Sequence, residues 1–308
     1  MKTYYSSDYS LSSSSVVALG CFDGVHIAHA RVIAEARRKA NDLGAQCVVW
    51  TFNEPPKNYF LSTPVPLLTD RHQKESVMEA LGVDVLISLP FDRSICEISA
   101  EDFFEQIIVK KLNATHIVCG YDYIFGSKGR GNTALLKELC DTRSIGLTVI
   151  SNITKDGISV SSSAIRELLL DGQPEKAASL LGRPYSLSSK VIDGQHLARS
   201  LGFPTLNQTI PSGMLIPKFG VYVSEIIIEN SDQKLYGITN VGIRPTVGGS
   251  TPFVETHIFD FSGNLYGLRV NIGFLKFLRE ERKFENLEDL THQVNTDIAS
   301  AKKFIQII

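Results

Sequence analysis

The 308-residue chain has no apolar run long enough to cross a bilayer or act as a signal sequence. It also lacks an excess of either charge: 31 Lys plus Arg against 33 Asp plus Glu leave a net charge of -2. That balance supplies no field for nucleic acid or an anionic membrane, so any phosphate site must be local. A soluble cytoplasmic protein is the expectation. The five cysteines (Cys21, Cys47, Cys96, Cys119 and Cys140) contain no Cys-x-x-Cys pair and all lie in the N-terminal half. This argues against a disulfide framework and for reduced thiols in a core. No internal repeat is apparent, and oligomeric state is not readable. The polar, Ser/Tyr-rich first fifteen residues carry one Lys and no legible role, and an untethered terminus defaults to disorder.

What is present is ordinary globular composition, 43% hydrophobic and 21% charged, over a length that suggests two domains. Strands are expected at residues 16–19, 47–52, 83–89, 116–120 and 147–151. Helices at 30–43, 71–81, 100–112 and 133–140 alternate with them, the third opened by a Ser99-x-x-Asp102 cap. This alternation predicts a doubly wound α/β domain around a parallel sheet. Two more helices, 161–171 and 174–181, end at Gly182-Arg183-Pro184, which places a boundary between domains 1–182 and 183–308. Strands then follow without intervening helices, at 185–192, 220–228, 236–241, 254–261 and 266–274, predicting an antiparallel barrel. In the last of these, Tyr266, Leu268, Val270, Ile272 and Phe274 alternate onto one face. Leu287, Leu290, Val294, Ile298, Ala301 and Ile305 form a helical stripe that would cover the barrel.

Gly20-Cys21-Phe22-Asp23-Gly24-Val25-His26-Ile27-Ala28-His29 joins the first strand to the first helix, where α/β sheets place ligands. Its glycines allow a tight turn, helix-start N–H groups face an anion, and two imidazoles three residues apart can point together. No third ligand accompanies them, which argues against zinc. Taken alone, the segment is open between a phosphate cradle and a plain turn with surface histidines. In Val160-Ser161-Ser162-Ser163-Ala164-Ile165-Arg166 the hydroxyls can cap a helix and the Arg can bind phosphate or simply be solvated. A third element is Gly120-Tyr121-Asp122-Tyr123-Ile124-Phe125-Gly126, followed by Gly129-Arg130-Gly131-Asn132.

In this order the three elements resemble the HxGH-type nucleotidyltransferase domain of prokaryotic FAD synthetases. The resemblance implies AMP transfer from ATP to the phosphate of FMN. It implies catalytic roles for His26, His29 and Arg166, and ATP or phosphate contacts from Gly20, Phe22, Asp23, Gly24, Ser161, Ser162 and Ser163. Asp122 and Phe125 would hold flavin. There are departures: Ala28 stands where the family has Gly, Ile124 where Arg is common, and the segment 51–56 lacks a frequent His.

Farther on, Leu201-Gly202-Phe203-Pro204-Thr205-Leu206-Asn207 puts a hydroxyl and an amide carbonyl two residues apart in an extended segment. Both can reach one Mg²⁺. Gly220-Val221-Tyr222, Asn240-Val241-Gly242-Ile243-Arg244-Pro245-Thr246, Glu255-Thr256-His257-Ile258-Phe259 and Phe277-Leu278-Arg279 follow in order. These resemble the motifs of riboflavin kinases and imply a six-stranded antiparallel barrel with a terminal helix. A primary hydroxyl is a weak nucleophile and needs a base. Strand alternation places Glu255 opposite Val254, Thr256 and Ile258, and the resemblance gives it the base role. It further implies Mg²⁺ on Thr205 and Asn207, flavin contacts from Arg244, Thr246 and Arg279, and ATP phosphates near Gly194. Ala198 replaces a common Gly. From about Val16 to Phe304 the chain is thus similar to the bacterial bifunctional riboflavin kinase/FAD synthetase family, with riboflavin, FMN, FAD and ATP as its ligands. A kinase with an impaired adenylyltransfer domain and a non-catalytic flavin or nucleotide sensor stay open beside it.

Overall fold

Strand β2 (Ser15–Leu19) is buried along its whole length, as a central parallel strand covered on both faces must be. Around it a computed structural model describes residues 1–193, 203–231, 233–246 and 249–307, the side chains of 244–251 excepted. The chain divides into two compact units, Met1–Ser162 and Ser163–Ile308.

In the first unit, β1 (Lys2–Tyr4), β3 (Gln46–Phe52), β4 (Val85–Leu89), β5 (Ala114–Gly120) and β6 (Gly146–Ile150) join β2 in one parallel sheet, ordered β1-β4-β3-β2-β5-β6. Alternate residues face opposite layers. Val16, Ala18, Cys47, Val49 and Val118 pack under α1 (Ile27–Leu43) and α2 (Arg71–Ala80) with Val32, Ile33, Ala36 and Met78. Val17, Leu19, Val48, Trp50 and Ile117 face the opposite layer, where Phe103, Phe104 and Ile108 contribute from a π-helical segment, Phe103–Lys111. That segment continues a short α4 (Ala100–Asp102), itself preceded by α3 (Arg93–Glu97). Leu136 and Cys140 of α5 (Thr133–Arg143) complete this side. A small hairpin, β7 (Thr154–Lys155) and β8 (Ile158–Ser159), was not legible in the sequence.

The N-terminus is tethered, contrary to expectation. Lys2–Tyr4 pairs with β4, the terminal ammonium meets Glu79 at 3.0 Å, and buried Tyr9 accepts a hydrogen bond from Trp50 Nε1 at 2.7 Å. A short, polar edge strand offers no apolar pattern to read. All five cysteines are free. Cys47, Cys119 and Cys140 are buried as expected, whereas Cys21, on the loop after β2, and Cys96, on the short helix α3, are only half-buried.

The second unit opens with α6 (Ser162–Leu170) and α7 (Pro174–Leu181), the latter closed by Gly182 in the left-handed region. A closed barrel follows: β9 (Tyr185–Ile192), β10 (Thr205–Thr209), β11 (Gly220–Ile228), β12 (Lys234–Thr246), β13 (Gly249–Ile258) and β14 (Arg269–Arg279), ordered β10-β13-β12-β11-β14-β9. Tyr185, Tyr222 and Phe274 fill its interior, with Tyr222 and Phe274 edge to face at 5.0 Å. β10 was not recognised as a strand in the sequence. The final strand starts at Arg269, not Tyr266: Gly267 takes a positive φ of 79°, leaving Tyr266 and Leu268 exposed at a turn. The closing helix α8 (Leu287–Ile305) lays Val294, Ile298, Ala301 and Ile305 on Val221, Val223 and Ile238, while Leu287 is exposed.

Candidate active sites

In the first unit the strand order reverses between β2 and β5, and ligands of such sheets bind in the crevice outside the carboxyl ends of those strands. Residues 20–26 leave β2 and residues 121–126 leave β5, so both loops flank that crevice. The first loop is tightly wound: Phe22, Gly24 and Val25 have φ of 50°, 80° and 41°. For two non-glycine residues this is strained backbone, held in place because Phe22 and Val25 are buried. Asp23 locks the loop. Its carboxylate accepts from Leu68 N–H at 3.0 Å, and its carbonyl accepts from the Ser162 hydroxyl at 2.9 Å. Gly24 N–H donates to Thr69 Oγ1 at 3.2 Å. A Cβ on Gly20 would come within 3.0 Å of the Phe22 ring.

His26 caps α1 by accepting from His29 N–H on Nδ1 at 3.3 Å, which places the proton of its neutral ring on Nε2. The two imidazoles stack with centroids 3.6 Å apart and planes 12° apart, and the Phe22 ring meets His29 edge-on at 5.1 Å. Two cations cannot comfortably share that spacing. Burial, then His26, then Lys74 hold His29 well below the ordinary histidine value, and its buried Nδ1 has no hydrogen-bond partner. Lys74 was missed in the sequence. It is 5% exposed on α2, and its ammonium donates to the carbonyls of Phe52 at 3.0 Å and Asn53 at 3.5 Å. Burial lowers its pKa, while Cys21 and Asp23 act in the opposite sense. The sequence did carry a signal, a lysine in the apolar row that continues through Val77, Met78 and Leu81.

Phe125 is buried against Phe103 and Tyr123, at 5.6 and 5.7 Å between ring centroids, whereas Asp122 and Ile124 are exposed. Ser161 and Ser162 are half-buried and Ser163 is exposed. Arg166 is buried on α6, among the residues of the second compact unit.

The barrel site is a row. Directly paired residues of neighbouring strands share a face, and Asn207 pairs with Glu255, Glu255 with Asn240, Asn240 with Val221, and Val221 with Arg279. Thr205 lies one step along β10 on the same face, opposite His257, whose Nδ1 lies 3.0 Å from the Pro204 carbonyl. Glu255 is therefore flanked by two asparagines on the face that α8 covers, while Val254, Thr256 and Ile258 point into the barrel. Asn240 donates to Glu281 at 3.0 Å, and its own Oδ1 is buried without a partner. Glu281 rests on Gly242, where any Cβ would collide with its carboxylate. Arg279 forks onto Asp297 of α8 at 2.8–3.1 Å and donates to the Glu280 carbonyl. Asn240, Glu281 and Asp297 were not singled out in the sequence. Gly194 and Ala198 lie outside the described residues, and Arg244 and Thr246 are on β12 where side chains lie outside them.

Thr205 and Asn207 present hard oxygen donors to one side of β10 next to a carboxylate, a set that suits a divalent cation. A doubly wound sheet with paired histidines at its switch point, followed by a barrel with this row, defines a nucleotide-dependent transferase of two domains. Residues 9–164 match the model of the FAD synthetase family and residues 181–305 that of the riboflavin kinase family. Relatives include the bifunctional riboflavin kinase/FMN adenylyltransferases of Haemophilus influenzae, 36% identical over 94% of this chain and 93% of theirs, and of Bacillus subtilis, 33% identical over 95% and 93%. A solved structure from Streptococcus pneumoniae, described as a macrolide-efflux protein, superposes with a TM-score of 0.89 at 30% identity, covering 96% of this chain and 97% of that one. The chain belongs to the bifunctional riboflavin kinase/FMN adenylyltransferase family. Among the described residues, no helix is long and apolar enough to cross a membrane.

Proposed function

We infer that the chain phosphorylates riboflavin to FMN with one ATP and adenylylates FMN to FAD with a second, releasing pyrophosphate. The carrying observation is that each family match falls on a unit whose chemistry-bearing side chains converge: the stacked His26–His29 pair in one, Glu255 between Asn207 and Asn240 in the other. No observation favours a silent adenylyltransfer site or a non-catalytic sensor. We assign adenylyltransfer to residues 1–182 and phosphorylation to 183–308, in the cytoplasm.

At the barrel, the riboflavin 5′-hydroxyl oxygen bonds to the γ-phosphorus of ATP, the bridging P–O bond breaks, and ADP leaves. Glu255 takes the hydroxyl proton. Thr205 and Asn207 would hold Mg²⁺, which neutralises phosphate charge when bound. Arg279 is already forked onto Asp297, so its contribution to the flavin is to fix α8 and offer its guanidinium face. Arg244 and Thr246 are assigned to flavin, and Gly194 to phosphate.

In the α/β domain, a phosphate oxygen of FMN bonds to the α-phosphorus of ATP and the bond to the β-phosphate breaks. The nucleophile is already an anion, so alignment and charge neutralisation matter more than a base. His26 and His29 donate to the triphosphate from the crevice, with Gly20, Phe22, Asp23 and Gly24 shaping the loop beneath it. Ser161, Ser162, Ser163 and Arg166 are assigned to phosphate, and Asp122 and Phe125 to the flavin side. Incubating the protein with riboflavin, ATP and Mg²⁺ and separating the flavins over time tests the reading. FMN followed by FAD is expected, and no product would overturn it.

A further inference from the structure

Proline cannot donate to a β ladder, so a strand that begins just after one is held less firmly at that end than in its middle. β10 is such a strand. Pro204 precedes its first residue, Thr205, and β13 runs beside the whole of Thr205–Thr209. On the other side, among the described residues, β9 pairs only with Asn207 and Gln208. The residue opposite Thr205 on β13 is His257. Its Nδ1 lies 3.0 Å from the Pro204 carbonyl oxygen, and a carbonyl only accepts, so Nδ1 carries the proton and donates it. Two phenyl rings meet the imidazole edge to face, Phe203 at 88° and Phe259 at 66°, each with centroids 5.9 Å away. Phe259 packs in turn against the apolar cluster of Val221, Val223 and Ile238. The imidazole thus connects that cluster to the peptide plane that joins Pro204 to Thr205. Fixing the plane limits rotation at the Thr205 backbone and with it the direction of the hydroxyl, which shares a strand face with Asn207 two residues on.

We propose that His257 is a positioning residue of the barrel site: its Nδ1–H bond to the Pro204 carbonyl holds Thr205 where the hydroxyl can share a divalent cation with Asn207. This rests on the assignment of the cation to Thr205 and Asn207. The His257 donor is committed to the backbone, so its influence belongs to the affinity for the metal–nucleotide pair and not to removal of the substrate proton. Small hard cations bound with a nucleotide demand closely placed oxygens. Loss of a group that orients a ligating side chain typically costs roughly 10–100-fold in affinity or activity.

Three substitutions separate the bond from the bulk of the ring. Asn places an amide N–H close to the position of the imidazole Nδ1–H, Gln places one close to Nε2, and Ala supplies neither. Riboflavin phosphorylation by the full-length variants is measured against Mg²⁺ and ATP concentration. His257→Ala and His257→Gln should raise the half-saturating Mg²⁺ and the KM for ATP by about 10-fold or more with kcat little changed, and His257→Asn should stay near the wild type. Calorimetric titration with ADP at fixed Mg²⁺ gives a reading without turnover. The binding step that Thr205→Val weakens is the barrel's, and that step should weaken in the Ala and Gln variants but not in Asn. Wild-type Mg²⁺ dependence in His257→Ala would overturn the proposal. Equal impairment of the Asn and Gln variants would overturn it as well, since ring packing alone would then account for the loss, and this comparison decides even where the Ala variant fails to fold. If Thr205→Val itself left both Mg²⁺ dependence and ADP binding untouched, the assignment of the cation would fall instead, a result distinct from either.

Discussion

A carboxylate between two asparagines is a different reagent from one in open water. Glu255 has Asn207 on one side and Asn240 on the other, in register, and Asn240 is itself oriented by Glu281. Replacing it by Gln preserves shape and hydrogen bonding but removes the base, so Glu255→Gln should slow FMN formation by at least ~10²-fold with riboflavin affinity little changed. Rapid-mixing turnover and flavin fluorescence titration measure the two quantities, and an equal loss in both would mean that Glu255 binds flavin rather than taking its proton. The histidine pair predicts a pH effect on stability as well. His29 is held well below the ordinary value of 6.5, so the unfolded chain binds a proton that the folded chain refuses. Stability from this source is present above pH 6.5 and falls away as the pH drops below it toward the folded value. Trp50, the sole tryptophan and part of the first unit's core, is a direct reporter. Its fluorescence midpoint in urea should decline between about pH 6.5 and 5, where a folded-state histidine that stays unprotonated is disfavoured relative to an unfolded one.

At the scale of elements, what could be read in the sequence followed from how strongly each segment is covered. β2, β3 and β5 are sandwiched between layers and read as apolar runs. β10 escaped because Thr-Leu-Asn-Gln-Thr is polar on both faces: Asn207 belongs to the site, and buried Gln208 donates to the Ser189 and Val270 carbonyls at 2.6 and 2.8 Å. Tyr266 and Leu268 were read into the last strand since alternation alone cannot register the positive φ of Gly267. The site divided in the same way. The histidine pair and Glu255 sit in recognisable motifs, whereas Lys74 and Asp297 are charges on helix faces, where solvent is the usual reading. Asp297 is 4% exposed and takes both the Arg279 fork and Gln293 Nε2 at 2.7 Å, so α8 is fastened to the end of β14 by a largely desolvated pair. Removing one partner strands the other charge. Asp297→Ala should therefore destabilise the barrel unit by about 2–4 kcal/mol and loosen α8 over the Glu255 row. Hydrogen exchange along Leu287–Ile305 locates the effect. Unchanged protection there would mean that the Val294, Ile298 and Ala301 stripe holds the helix unaided.

The described residues form two compact units, with one set of reactive side chains in Met1–Ser162 and the other on the barrel of Ser163–Ile308. FMN is the product of one set and the substrate of the other, so the choice of flavin supplied decides which set is being interrogated. With riboflavin as the only flavin, Glu255→Gln should yield almost no FMN and hence almost no FAD. With FMN supplied instead, the same variant should form FAD at the wild-type rate, because the paired histidines remain intact. His29→Ala should show the reverse, with normal riboflavin phosphorylation and FMN accumulating in place of FAD. The two variants mixed in equal amounts should then convert riboflavin to FAD, since FMN released by one can be taken up by the other. A mixture that forms no FAD while its FMN stays bound to the kinase-competent chain would mean that the intermediate is not released to solution, and would place both steps on one chain.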